Sequence, residues 1–484
     1  MKKTYCLVLS AILVWGCHSQ SNSSNAVNQP HNNTDSVKQV QVPPKPIDRG
    51  MTDTVYATSD PSIKYAVYLP ADYTTAKKWP IIYFFDPHGA GDLPLNIYKS
   101  LADKYGYILA GTYNSKNGTQ WAVTEKAAQA FMQDTWQRLS IDNNRIYTYG
   151  FSGGARVACS IALYDGGVAG VIACGGGFPE RNPNVRVPFA FIGFVGDKDF
   201  NYTEMKQLDK ALDNSPLPHQ LIVYHGKHQW PPAAIAEGAM QWLEVNAMRV
   251  HFTPKNDSLV KSVEQGFVKE ADKWAKQKNS VQEYFTYKKM LNYLKDLTDL
   301  TMYTTTFKDL EKSDKVQQYL QSEEADQKQE AQTQGALINS LSDKDMTWWQ
   351  QTVAQMRSFV KTDSNAPVAL QNQRLLNYLS LATYMGASQA FKAQNDEATA
   401  HFLELYKLVD PTNPEHSYLY ASMYARQNNA AQALSNLEDA VKLGFNDLRR
   451  LEGDSNFSTI KDQAGFKELE KKIAALPHKV DMSQ

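Results

Sequence analysis

YTYGFSGGARVA, residues 147–158, is the stretch on which the reading of this chain turns. An apolar run, RIYTYG (145–150), stops at a glycine, and a helical pattern, ARVACSIAL, starts five residues later. Between them Ser152 is held by Gly150 and Gly154. G-x-S-x-G meets a steric demand: a strand turns sharply into a helix with the serine at the tip, which leaves no room for side chains beside it. Taken alone, the pentapeptide fits both a nucleophile elbow and a small-residue turn ahead of a helix.

A serine hydroxyl is a poor nucleophile at neutral pH. It needs a base within hydrogen-bond reach, a group that orients the base, and donors for the oxyanion. The chain offers all three at strand ends. FAFIGFVGDKDF (189–200) ends an apolar run with Asp197 and Asp199, and LIVYHGKHQWPP (221–232) ends another with His225 and His228. Upstream, IIYFFDPHGAGD (81–92) ends in a glycine-rich loop. The backbone N–H of Ala90 in that loop is expected to face the oxyanion beside the N–H of Gly153. His228 lies past its strand end, between a glycine and an aromatic, where a loop can swing over the serine; His225 still belongs to the strand and reads as a packing or hydrogen-bonded residue.

From residue 50 to 249 the runs around these motifs alternate. KYAVYLP (64–70), PIIYFFD (80–86), YILAG (107–111), VAGVIACG (168–175) and HQLIVYHG (219–226) read as strands. EKAAQAFMQDTWQRL (125–139) and PAAIAEGAMQWLEVNAM (232–248) read as helices. Continuous apolar strands between helices predict an α/β unit, a mainly parallel sheet with helices on both faces. TYNSKNGTQW (112–121) then falls at the carboxyl ends of the strands, making Asn114, Trp121 and Trp230 candidate substrate contacts, with loop scaffolding as the competing role. Cys159 and Cys174 lie in apolar segments; a disulfide is allowed, and buried free cysteines are the commoner state.

At this point the residues resemble a family. HGAG (88–91), GFSGG (150–154), GDKD (196–199) and GKHQW (226–230), in the chain order Ser, Asp, His, are similar to the α/β-hydrolase superfamily. The similarity is strongest to its dienelactone-hydrolase, feruloyl-esterase and polyhydroxyalkanoate-depolymerase-like branches. It implies acyl transfer to water with no cofactor: Ser152 as nucleophile, His228 as base and Asp199, the last residue of its loop, as orienter. Asp197 is left as a solvated loop charge, and His88 as a support of the oxyanion loop. The resemblance names no substrate; a small-molecule or polymer-borne ester is expected. A serine peptidase of the same fold, or a binding lipoprotein on a degenerate hydrolase scaffold, remains open.

The flanks have other characters. Lys2 and Lys3, the apolar run CLVLSAILVW and Gly16-Cys17 follow the order of a signal peptide. VWGC resembles a bacterial lipobox, apart from Trp15. Residues 1–17 are therefore read as a lipoprotein signal with Cys17 lipidated, and 18–49 as a disordered tether. The chain is expected to be exported and anchored on the periplasmic face of the outer membrane, since no acidic cluster follows Cys17. After residue 250 glycine becomes scarce and helical patterns dominate, with no clear repeat over 250–364. Within 365–484, NDEATAHFLELYKLVDPTNPE and NAAQALSNLEDAVKLGFND resemble tetratricopeptide repeats, with the small residues Gly386 and Ala421 upstream where helices pack closely. That resemblance implies a protein partner. With 50 basic and 51 acidic residues, nothing in the charge balance favours nucleic acid. H-E-x-x-H, P-loop and C-x-x-C motifs are absent, and no metal is expected.

Overall fold

The computed structural model describes residues 46–179, 189–215, 217–362, 364 and 366–476. Cys17, the rest of the expected signal segment and all but the end of the expected tether lie outside the described residues. The fold begins slightly earlier than residue 50: Ile47 packs against the core, and Arg49 bridges to Leu69 and donates to the Tyr73 carbonyl.

An eight-stranded sheet organises the first half. Its strands are β1 (Thr52–Tyr56), β2 (Lys64–Tyr68), β3 (Trp79–Phe85), β4 (Ile108–Thr112), β5 (Ile141–Phe151), β6 (Gly170–Cys174), β7 (Ala190–Gly196) and β8 (His219–Tyr224). They lie in the order β1-β2-β4-β3-β5-β6-β7-β8. β1, β2 and β4 pair antiparallel; β4, β3 and all the following neighbours pair parallel. This is the α/β-hydrolase arrangement, as the motifs led one to expect. The continuous apolar runs are explained by burial on both faces. In β3, Ile81, Tyr83 and Phe85 enter one core and Ile82 and Phe84 the other, because successive side chains point to opposite sides.

Helices α1 (Asp92–Tyr105) and α5 (Ala233–Arg249) cover the second of these cores. Helices α2 (Trp121–Arg138), α3 (Gly153–Tyr164) and α4 (Tyr202–Leu212) cover the first. All parallel strands deliver their carboxyl ends to one edge of the sheet, which is where such folds place a site. Cys159 and Cys174 are both buried and free.

The second half is helical: α6 (Asp257–Lys276), α7 (Ser280–Leu294), α8 (Thr301–Glu311), α9 (Asp314–Ser340), α10 (Met346–Thr362), α11 (Pro367–Lys392), α12 (Asp396–Val409), α13 (Glu415–Arg426), α14 (Ala430–Lys442), α15 (Leu448–Gly453) and α16 (Ala464–Ala474). Its first hairpin is continuous with the sheet unit. Val260, Val263, Met290, Tyr293 and Leu294 share one apolar cluster with Trp242 and Leu243 of α5, so burial crosses residue 250 without a break. The α11–α12 and α13–α14 hairpins turn alike. Gln394 and Asn428 adopt left-handed backbone, and the next residues, Asn395 and Asn429, cap α12 and α14 with their side chains. Gly386 sits where a Cβ would lie 2.6 Å from the Phe402 ring.

The same turn recurs at Lys278, left-handed, and Asn279, which caps α7. A hairpin of this chemistry therefore lies inside 250–364, where the sequence showed no repeat. At the other end of the region, Glu415 and Arg450 form an ion pair with Nη1–Oε1 at 2.6 Å. Between these ends, Arg374 and Asn377 of α11 bind the Asp197 and Lys198 carbonyls beyond β7, so the helices meet the carboxyl edge of the sheet as well as its flank.

Candidate active site

Ser152 leaves the end of β5 in a conformation that L-residues rarely adopt, φ 55° and ψ −121°. Its N–H continues the ladder to the Cys174 carbonyl (2.8 Å), and its own carbonyl accepts from Ala155 as α3 begins. The flanking glycines are needed for space. A Cβ on Gly154 would strike the Phe85 carbonyl oxygen, and one on Gly150 would strike the Gly154 carbonyl. Both obstacles are backbone and cannot rotate away. Gly154→Ala is accordingly expected to destabilise the fold by about 3 kcal/mol, measured by denaturant unfolding, because the elbow must move off β3.

The strained turn points Ser152 Oγ at His228. Oγ lies 2.9 Å from Nε2, and Nδ1 of the same ring lies 2.9 Å from both Oδ1 and Oδ2 of Asp199. A carboxylate only accepts, so Nδ1 carries the proton and the Nε2 lone pair faces the serine hydroxyl. Asp199 is fully buried and His228 nearly so, at 3% exposure, while Ser152 keeps partial access to solvent. In such a geometry a hydroxyl, an imidazole and a carboxylate can act as nucleophile, base and orienter.

Each partner is fixed from several sides. The Asn201 N–H donates to Asp199 Oδ1 (2.8 Å), and the Asn201 side chain donates to the Gly175 carbonyl (2.7 Å). Gly175 has φ 57°, and a Cβ there would sit 2.9 Å from Asp199 Oδ2 and 3.0 Å from the His228 ring. Only glycine fits that contact. Phe151 and Phe200 pack on the imidazole with centroids at 4.6 and 4.1 Å. The loop after His228 is tied down by Tyr224 to the Gln229 carbonyl and by Tyr98 to the Pro231 carbonyl, both at 2.8 Å. Cys174, close by, is no second nucleophile: burial, aided by the Asp199 charge, pushes its thiol well above the ordinary range and keeps it protonated.

Several expectations need correction. Ala90 does not offer its N–H to the site; it donates to Asp86 Oδ1 (3.2 Å), which also takes the His88 N–H (2.8 Å). Asp86 is a buried carboxylate at the end of β3 that curls its own loop around itself, and Pro87 keeps the turn tight. Trp230 is no substrate contact. It is 1% exposed, packs tilted or edge-on among Phe84, Tyr98, Tyr149 and Phe151, and donates Nε1–H to Asp86 Oδ2 (3.0 Å). Asn114 uses its carboxamide to bind the Lys64 N–H (2.7 Å) and the Ser62 carbonyl (3.0 Å), which anchors its loop to β2. Trp121 packs edge-on against Tyr164 and the core. Asp197 is not a free loop charge: it pairs with His225 (2.8 Å) and accepts from the Gly226 N–H (3.1 Å). Two Asp–His pairs thus join the β7 and β8 loops, one buried beside Ser152, one at the surface.

Gly153 begins the helix directly after the serine. Its N–H opens α3 and has no acceptor among the described residues. A neighbour that sequence reasoning missed lies on it: Asn117, exposed, whose carboxamide occupies the space a Cβ on Gly153 would need. The backbone N–H of Asn117 donates to the Pro87 carbonyl (2.7 Å), which draws the β4–α2 loop over the elbow. Among the described residues no cluster of His, Cys, Asp and Glu is arranged to hold a metal.

No protein-family model and no curated protein matches the chain. Solved structures do. The chain is similar to a fluorophosphonate-binding serine hydrolase of Staphylococcus aureus (12% identity, 40% of this chain and 99% of that one, TM-score 0.33). It is similar to a ferulic acid esterase (18% identity, 39% and 93%, TM-score 0.32) and to an esterase of the archaeon Pyrobaculum calidifontis (14% identity, 42% and 85%, TM-score 0.32). Identity this low leaves substrate and mechanism to the geometry of the site itself.

Proposed function

We propose that this protein is a serine hydrolase that cleaves a carboxylic ester through an acyl-enzyme. The observation that carries the reading is the unbroken chain of contacts from Ser152 Oγ through His228 to the buried Asp199, with Ser152 in a strained elbow. His228 takes the Ser152 proton as Oγ attacks the substrate carbonyl, and Asp199 holds the tautomer and stabilises the imidazolium. His228 then protonates the leaving alcohol. Water, deprotonated by the same imidazole, releases the acid and restores the serine.

The oxyanion takes one hydrogen bond from the Gly153 N–H. For the second donor we assign the Asn117 side-chain NH₂, which requires the carboxamide, whose oxygen lies against Gly153, to turn over when substrate binds, since the His88, Gly89 and Ala90 N–H groups all turn inward to Asp86. Asn117→Ala is expected to lower kcat by about 10²-fold with little change in KM, because a donor aimed at developing charge acts on the transition state. Steady-state kinetics on p-nitrophenyl acetate check this, and an unchanged kcat would remove Asn117 from the reaction.

Fluorophosphonate labelling of the full chain tests the central reading. The wild type should be labelled at Ser152 and the Ser152→Ala variant should not. Absence of labelling in a folded wild-type protein would overturn it. A panel of short-chain, aryl and polymer-borne esters, with peptides as the contrast, then sorts the substrate class.

A further inference from the structure

The loop that carries Asp199 is gripped from outside the sheet unit. Arg374 of α11 donates Nη1–H to the Asp197 carbonyl (2.9 Å), while its Nε and Nη2 bind both oxygens of Glu330 of α9 at 2.8 and 2.6 Å. Both side chains of that pair are buried, and the guanidinium lies 4.3 Å from the ring centroid of Tyr202, the first residue of α4. One turn along α11, Asn377 donates to the Lys198 carbonyl (2.7 Å). Its own carbonyl accepts from Gln373 (2.9 Å), which fixes the direction of the amide. Gln334 of α9 reaches the Phe200 carbonyl at 3.5 Å. Carbonyls on both sides of Asp199 are therefore held by residues more than a hundred positions later in the chain.

Docking two units needs no such arrangement. Lys206–Glu323 and Lys210–Glu324, both at 2.9 Å, already tie α4 to α9, with the second pair well exposed. A buried arginine is desolvated, and it persists where all its donors find fixed acceptors. Here the third acceptor is a single loop carbonyl two residues before Asp199. The effect on that loop is specific: a short connection between β7 and α4, which would otherwise move as loops do, has its backbone fixed from the far side of the carboxylate.

We propose that Arg374 and Asn377 are positioning residues for the hydrolytic reaction, so that the helical region is a working part of the active site. The proposal rests on the serine-hydrolase reading above. Arg374 and Asn377 touch no reacting atom; they set the loop that sets Asp199, which sets His228.

The test uses full-length protein and four readouts: kcat and KM on p-nitrophenyl acetate, the rate of fluorophosphonate labelling, the melting temperature, and the far-downfield proton resonance of the His228 Nδ1–H. Asn377→Ala removes one loop contact from a half-buried position. Arg374→Lys keeps a cation for Glu330 but cannot make all three bonds. Each is expected to lower kcat and the labelling rate about tenfold with KM within twofold, and to broaden or shift the downfield resonance, while the protein stays folded. Lys206→Ala, which cuts a docking ion pair away from the loop, should leave all but the melting temperature unchanged. The proposal fails if folded Asn377→Ala and Arg374→Lys keep wild-type kcat and resonance, or if Lys206→Ala loses as much activity as they do. A wild type that neither turns over ester nor takes the label would sink the hydrolase reading instead. The downfield resonance would still decide the positioning claim, because it reads the Asp–His contact without turnover.

Discussion

Ser152→Ala is expected to lower kcat on an ester substrate by about 10⁶-fold, and Ser152→Gly to do the same while leaving a more stable protein than the alanine variant. Loss of activity follows from the loss of Oγ, the atom that forms the acyl bond in the proposed mechanism. The stability difference follows from the backbone. At φ 55° and ψ −121° a residue with a Cβ is strained by about 1–3 kcal/mol, and glycine is not. Glycine also loses more freedom on folding, by roughly 0.5–1 kcal/mol, which offsets part of the relief. Both variants lack the hydrogen bond to His228, so their difference isolates the elbow: the glycine variant should unfold about 1 kcal/mol later, measured by denaturant titration. Turnover surviving in Ser152→Ala, with contamination excluded by failure to label, would remove Ser152 from the reaction. Equal stability of the two variants would mean that the elbow stores no strain.

The route from sequence to this site was short where chemistry and packing coincide. Ser152 stands directly between β5 and α3, and Asp199 and His228 lie in the loops just beyond β7 and β8, so the glycines where each apolar run stops make all three visible. Where side chains are used locally, the sequence was silent. Nothing in HGAG reveals that Asp86, three residues before Gly89, turns the loop's N–H groups inward, nor that Trp230 is spent on the other oxygen of that carboxylate. A buried aspartate at the end of an apolar strand was the available signal. β1 was missed because an edge strand with one solvated face, TDTVY, carries too few apolar residues to stand out. The three glycines after Cys174 were also legible in principle: Gly175 had to be small to accept the Asp199–His228 pair.

Contacts from the helical region were beyond reach. Arg374 and Asn377 lie on α11 at the spacing of one helical turn, where polar residues ordinarily read as a solvated face. Only the docking of α9 and α11 on the β7–α4 loop gives them a target. The same holds for the hairpin turn at Lys278–Asn279, whose likeness to Gln394–Asn395 and Asn428–Asn429 lies in backbone handedness and capping more than in residue identity.

The two aspartates of the GDKD loop supply the sharpest separation of roles. Asp199→Asn is expected to lower kcat by about 10⁴-fold with the fold intact. An asparagine that turns its NH₂ toward Nδ1 forces the proton onto Nε2, so the ring would donate to Ser152 where it should accept. Burial makes this worse, since Asp199 has no solvent to compensate and its Oδ1 already takes the Asn201 N–H. Asp197→Asn meets a different environment. Its carboxylate pairs with His225, whose side chain is 66% exposed, and an asparagine oxygen still accepts the Gly226 N–H. An exposed contact of that kind contributes about 1 kcal/mol or less, and the bond to Arg374 uses the Asp197 carbonyl, which the substitution leaves in place. The Asp197→Asn variant should therefore keep kcat within about tenfold. Parallel kinetics on the two variants decide the assignment: a larger loss in Asp197→Asn would transfer the orienting role to the surface pair, and equal large losses would mean that the loop acts as one rigid unit.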